Sequence, residues 1–140
     1  MDALDFLLDV NAWREFPERN RHVFANIKDG ARMGILPRTG PGGEGSTLLV
    51  WTVREGKVIT GSRPFKGFRE SGADLLFVAE PASLERIYKE LKNDPLAELK
   101  KQIRTGGVVF FVLKTREELL DMGYEELIEA IGIPWLGTCH

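Results

Sequence analysis

The feature that most constrains the fold is a segment, residues 71–113, in which two short apolar runs enclose two helical patterns. The runs, Leu75–Ala79 and residues 108–113, are rich in β-branched and aromatic side chains and are too short for full-length helices. Runs of this length and composition are typical of buried strands. We therefore predict a strand, helix, helix, strand unit.

Two stretches between these runs carry apolar residues at the spacing of one helix face. Asp94 is a good N-cap for the second helix, because its carboxylate can accept from amides of the first turn, and Pro95 suits the first helical position. The predicted buried stripes are Leu84, Ile87, Tyr88 and Leu91 in the first helix, and Leu96, Leu99 and Ile103 in the second.

Upstream of this unit the apolar pattern changes from helical spacing to alternation. Alternation over residues 22–28 predicts a strand, the tight-turn pair Asp29-Gly30 follows, and residues 31–36 would return as its partner. Residues 47–53 and 57–63 predict a second hairpin. Consecutive hairpins form antiparallel sheets.

Helices are predicted at both ends of the chain. Asp2 can cap an N-terminal helix that should end near Phe16, because Pro17 disfavours helical geometry in the residue before it. Residues 115–118 have the form of a capping box, and a last helix runs from Tyr124 until Gly132 ends it. The apolar tail that follows, residues 133–136, either packs onto the core or contacts a second subunit.

These elements predict an α+β fold: an antiparallel sheet of about five or six strands covered on one side by helices. At 140 residues we expect one domain, residues 1–140. The net charge of −2 argues against general attraction to nucleic acid or to anionic membranes.

A cytoplasmic location is expected, because Cys139 is the one cysteine and cannot form an internal disulfide. No apolar run approaches the roughly 18 residues of a spanning helix, so no stable membrane insertion is expected. The acidic N-terminus is also a poor signal peptide.

No catalytic or metal-binding constellation stands out in the sequence. The two histidines, His22 and His140, are far apart, and the glycine-rich residues 37–46 lack the lysine of a phosphate loop and favour a hairpin connection. Residues 54–69 carry five basic residues with Phe65 and Phe68 among them. Aromatic residues among basic ones can bind single-stranded nucleic acid, but a solvated edge with both rings turned inward is the preferred interpretation. We predict no catalytic residues, no metal and no cofactor.

Several of these features together resemble the sterol carrier protein type 2 family. The likeness is strongest at Ala73-Asp74-Leu75, at the helix around Leu84 and Ile87, and at Asp94-Pro95, and it continues through Ile103 and Gly106-Gly107. Turns at Lys28-Asp29-Gly30 and Arg54-Glu55-Gly56-Lys57 also fall where the family ends its strands. The likeness extends over residues 4–113.

The resemblance implies a non-catalytic protein that carries a lipid or another apolar small molecule between its sheet and its helices. It implies that the ligand-binding residues are sheet-side Leu49, Trp51, Phe77, Phe110 and Val112, with Leu127 and Ile131 as a lid. Apolar residues usually fill a core, so the same seven could instead be packing residues.

Two other functions stay open at the level of sequence. One is a small flavin-binding β-barrel oxidoreductase, in which the basic residues 54–69 would hold the cofactor phosphate. The other is an interaction module that forms a homodimer through its apolar C-terminal tail.

Overall fold

The computed structural model describes residue 7 and residues 9–38 and 47–132. The strands in these ranges are β1 Arg32–Pro37, β2 Thr47–Arg54, β3 Lys57–Pro64, β4 Leu75–Ala79 and β5 Val108–Val112. The helices are α1 Val10–Trp13, α2 Glu15–Arg19, α3 Arg21–Phe24, α4 Phe68–Ser71, α5 Pro81–Lys89, α6 Pro95–Arg104, α7 Arg116–Asp121 and α8 Glu125–Ala130. The predicted cap at Asp2, most of the glycine-rich connection and the apolar tail lie outside the described residues.

The five strands form one open sheet in the order β3-β2-β1-β4-β5. Three of the four strand pairs are antiparallel, whereas β1 and β4 run parallel. The prediction of an α+β fold with helices on one face of the sheet is confirmed. The sheet is mixed rather than wholly antiparallel, since the chain crosses from β3 at one side of β1 to β4 at the other. An open sheet with edges at β3 and β5 is not the closed barrel that the flavin alternative requires.

The predicted strand at residues 22–28 is wrong. Residues 21–24 form the short helix α3, and the chain reaches the sheet only at Arg32. Val23, Phe24 and Ile27 are all buried. This spacing belongs to one side of a helical turn, whereas a strand would send Val23 and Phe24 to opposite faces.

Pro17 does not end the N-terminal helical segment as predicted. The helix breaks at Arg14 and resumes, so that Pro17 is the third residue of α2. A proline is tolerated there because the amides of a first helical turn have no partner within the helix.

The strand, helix, helix, strand unit is confirmed as β4, α5, α6 and β5. The Asp94 carboxylate accepts from the Ala97 amide at 3.1 Å, and Pro95 is the first residue of α6, as predicted. The two helices also meet through a buried hydrogen bond in which the Ser83 hydroxyl and the Gln102 side-chain oxygen are 2.7 Å apart.

The two faces of the sheet carry separate apolar clusters. We name the side packed against the helices the helix-side face; it contributes Met33, Ile35, Leu49, Trp51, Val53, Leu75, Phe77, Ala79 and Val108 to the larger core. The opposite side, the outer face, carries a smaller cluster that includes Leu36, Leu48, Val50 and Leu76. Phe65 is buried in that smaller cluster and Phe68 packs against it, which confirms that both rings turn inward.

Candidate functional site

Five of the seven predicted ligand-binding residues lie together between the sheet and the helices. Leu49 and Trp51 come from β2, Phe77 from β4, Leu127 from α8, and Ile131 from the end of α8. All five are buried members of the larger core cluster. The sheet and α8 therefore bring the proposed wall and the proposed lid into one apolar layer.

Trp51 is the centre of an aromatic group on the helix-side face. Its ring stacks on Phe16, with centroids 5.2 Å apart, and lies 6.2 Å from the ring of Trp13. The indole Nε1 donates to the Trp13 carbonyl oxygen at 3.3 Å. The alternation of apolar and polar residues could not predict which face of the sheet Trp51 lies on, because residues 48–51 are all apolar.

The last two predicted residues, Phe110 and Val112, lie on β5 at the edge of this layer. The β4–β5 register pairs Phe77 with Phe110 and Leu75 with Val112, which places both β5 side chains on the helix-side face. The Phe77 and Phe110 ring centroids are 5.0 Å apart. Leu75 is fully buried, yet Val112 is 46% exposed. The apolar layer therefore reaches the surface along β5.

The helices α7 and α8 follow β5 in the chain and form the last part of the helical cover. Thr115 and Glu118 make the predicted capping box: the Glu118 amide donates to the Thr115 hydroxyl at 3.1 Å, and the Thr115 amide donates to the Glu118 carboxylate at 2.9 Å. Hydrogen bonding from Thr115, mainly from its backbone amide, lowers the pKa of the Glu118 carboxyl. Between the helices, the Lys28 amide donates to the Met122 carbonyl at 2.9 Å. Gly123 then passes so close to the Asn26 carbonyl that an added Cβ would overlap it.

A buried polar group ties α8 to the sheet. The Tyr124 hydroxyl donates to the Asp74 carboxylate at 2.8 Å, and the same carboxylate oxygen accepts from the Arg32 amide at 2.9 Å. Burial, reinforced by the nearby Asp74 charge and hydrogen bond, raises the pKa of Tyr124 far above its ordinary value. Sequence reasoning singled out Asp74 only as part of a family motif and treated Tyr124 only as an apolar helix residue.

None of the seven predicted residues lines the surface clefts beside Tyr88, Arg32 or Phe24, which are formed by described residues. In the described part of the chain, no group of three His, Cys, Asp or Glu side chains is arranged to hold a metal ion. Over the same ranges, no helix is both long enough and apolar enough to span a bilayer.

No protein-family model matches the chain, and no curated protein matches it. Two solved structures do. One is a solution structure of a conserved hypothetical protein from Thermus thermophilus, suggested to be a sterol carrier protein: 17% identity, TM-score 0.46, covering 91% of this chain and 84% of the other. The other is a crystal structure of sterol carrier protein 2: 18% identity, TM-score 0.46, covering 96% and 98%. Both carry the description of the family that the sequence resembles.

Proposed function

We propose that this protein binds and carries an apolar small molecule without catalysing a reaction, and that the ligand enters between sheet and helices beside Val112. The observation that carries the proposal is the partial exposure of β5. This strand is apolar throughout, yet Val112 on its helix-side face is 46% exposed, and Val109 and Phe111 on its outer face are exposed as well. A wholly apolar edge strand in contact with water is a liability unless something binds it.

The proposed path leads from Val112 inward past Phe110 to Phe77. An apolar molecule moving along it would exchange water for protein contacts, which is worth about 0.8 kcal/mol for each CH₂ group removed from water. Leu49, Trp51, Leu127 and Ile131 would then form the inner wall.

The ligand would make room by displacing α7 and α8. Each of these helices has six residues, a length at which a helix has little stability of its own. They are held to the rest of the chain by buried Leu119, Leu127 and Ile128 in the larger core, and by polar contacts at Tyr124, Met122 and Glu126. Opening them would expose these side chains to water, a cost that burial of an apolar ligand would offset.

The test is native mass spectrometry of freshly purified protein, together with organic extraction of what co-purifies. We expect a lipid-like mass at one molecule per chain. A protein that is free of ligand and takes up none from added fatty acids or sterols would contradict the proposal.

Trp51 provides an optical readout of the same event. A ligand between sheet and helices would change the surroundings of its indole, so we expect a saturable change in tryptophan fluorescence. The substitution Trp51→Phe should remove most of this change. A fluorescence change that is unaltered in Trp51→Phe would place the ligand elsewhere.

A further inference from the structure

A shallow groove of about 190 Å³ crosses the outer face of the sheet, on the side away from the proposed apolar ligand. Its two cationic lining residues are Arg32 of β1 and Arg63 of β3, and its lining contains no carboxylate. Its other lining includes Val50, Ile59 and Gly61.

Arg32 holds a guanidinium with unused hydrogen-bonding capacity. Its Nε is buried and has no hydrogen-bond partner. In the described ranges, no carboxylate forms an ion pair with this guanidinium. Asp74 is close by, but its carboxylate takes the Arg32 backbone amide and the Tyr124 hydroxyl. Because the Nε is buried, an acceptor in the groove would bind the other nitrogens of the guanidinium, which form no ion pair within the described ranges.

The two guanidinium groups are held beside Ser71, the last residue of α4, and Gly72, which follows it. Arg63 donates from Nη2 to the Ser71 carbonyl. The Arg32 Nη1 lies against Gly72, where an added Cβ would be only 2.7 Å away. Both positive charges are thereby brought to the same end of the groove, where planar, bidentate donors suit an oxyanion.

The floor of the groove is open and mostly apolar, although Thr52 and Ser62 also line the groove. Val50 on β2 pairs directly with Gly61 on β3, and nothing lies within 4 Å of where a Cβ on Gly61 would be. Ile59, two residues before Gly61 on the same face of β3, is 52% exposed. Since one water molecule takes about 30 Å³ of liquid, the groove has the volume of about six waters. A short apolar body fits this space, whereas a long acyl chain does not.

We propose that this groove binds a small carboxylate with a short apolar body. The carboxylate lies on the guanidinium groups of Arg32 and Arg63, and the body lies over Val50 and Ile59 in the space left by Gly61. This site is on the opposite face from the proposed carrier site and does not depend on it.

The experiment follows backbone amide chemical shifts of the full chain during titration with benzoate. We expect saturable shifts centred on Gly61 and Ile59. Benzyl alcohol, which keeps the ring and lacks the charge, should give no saturable shift. Inorganic phosphate, which has the charge and lacks the apolar body, should bind at least about tenfold more weakly.

Gly61→Val is the decisive variant, because it fills the groove without removing a charge. Valine suits a strand, and the site offers it open space, so the fold should be retained. Benzoate binding should be abolished in this variant and weakened about tenfold or more in Arg32→Gln, since a charge-assisted hydrogen bond is lost. Arg86→Gln removes the same charge from the exposed surface of α5 and should leave binding unchanged.

Three results would overturn the proposal: shifts that increase linearly without saturation, benzoate binding that persists in Gly61→Val, or phosphate binding as tight as benzoate binding. The first would mean nonspecific contact, the second a different site, and the third a plain anion site with no use for the apolar floor.

Discussion

At the scale of single residues, the contact between Tyr124 and Asp74 is the most consequential polar feature of the interior. Both side chains are buried, and the carboxylate also accepts from the Arg32 amide. Removing the hydroxyl would leave a buried acceptor with fewer partners. A partly satisfied buried polar group destabilises more than an absent one.

We therefore expect Tyr124→Phe to lower the free energy of unfolding by about 1–3 kcal/mol. Tyr88→Phe is the matched control, since its hydroxyl bonds to Asp9 at 2.5 Å on the exposed surface and should matter by less than about 1 kcal/mol. Urea denaturation of the two variants measures the difference. Equal losses of unfolding free energy in the two variants would show that the buried hydrogen bond stabilises the fold no more than the exposed one.

The raised pKa of Tyr124 gives a separate prediction at high pH. Because the folded state favours the neutral phenol, its contribution to stability is complete below the ordinary pKa of 10.0 and is lost as the pH rises above that value. The chain has two tyrosines, so Tyr88→Phe leaves Tyr124 as the one phenol to titrate. Phenolate absorbance should then appear only together with alkaline unfolding seen by circular dichroism. Absorbance that rises near pH 10 while the fold is intact would mean that water reaches the hydroxyl.

At the scale of elements, the turn between α7 and α8 is held by a close backbone approach. Gly123 has φ 84°, and an added Cβ would overlap the Asn26 carbonyl. Gly106, after α6, has nearly the same φ of 87°, but nothing lies within 4 Å of its Cβ position. Comparing substitutions at these two glycines therefore separates the free energy of backbone strain from that of the close approach.

Gly106→Ala should destabilise the protein by the strain of a left-handed conformation, about 1–2 kcal/mol. Gly123→Ala should lower the stability by this amount and by a further amount, because α7 and α8 would have to move away from the residues before β1. Thermal unfolding gives the total, and hydrogen exchange shows whether the extra loss is confined to α7 and α8. If the two variants were equally stable, the approach at Asn26 would not hold the cover in place.

The elements that the sequence predicted are those with a strong local signal. Asp94-Pro95 and the capping box at Thr115 place helix starts by hydrogen bonds within one turn of the chain, and both are confirmed. The strand at residues 22–28 failed because Val23, Ala25 and Ile27 alternate while Phe24 is apolar as well. The sequence of this segment is therefore compatible with a strand and with a helix. The structure has a helix, which buries Val23 and Phe24 together with Ile27.

Features that depend on distant parts of the chain were not predictable. Nothing local marks β1 and β4 as a parallel pair, since that pairing depends on how the segment after β3 crosses the sheet. The basic segment of residues 54–69 includes Arg63, but Arg32, the other arginine of the groove, comes from another strand. The seven ligand-binding residues predicted from family resemblance remain a prediction: five lie on the helix-side face of the sheet, and Leu127 and Ile131 lie in and at the end of α8.

At the scale of the whole molecule, the two edges of the sheet provide a matched test of where an apolar ligand enters. Val112 on β5 is 46% exposed and Ile59 on β3 is 52% exposed, and both are β-branched residues in edge strands. They differ in that Val112 lies on the helix-side face and Ile59 on the outer face. Exposed positions tolerate substitution, so lysine at either should change stability by only about 0.5 kcal/mol.

Val112→Lys places a charge where the apolar ligand would have to pass, and a charge is costly to strip of water. We expect uptake of a fluorescent fatty acid to fall by about tenfold or more, because 1.4 kcal/mol already accounts for one factor of ten. Ile59→Lys should leave uptake unchanged. If both variants take up the ligand like the unmodified protein, entry is not beside β5. If Ile59→Lys alone is impaired, the apolar molecule binds the outer face, and the helices cover an ordinary core.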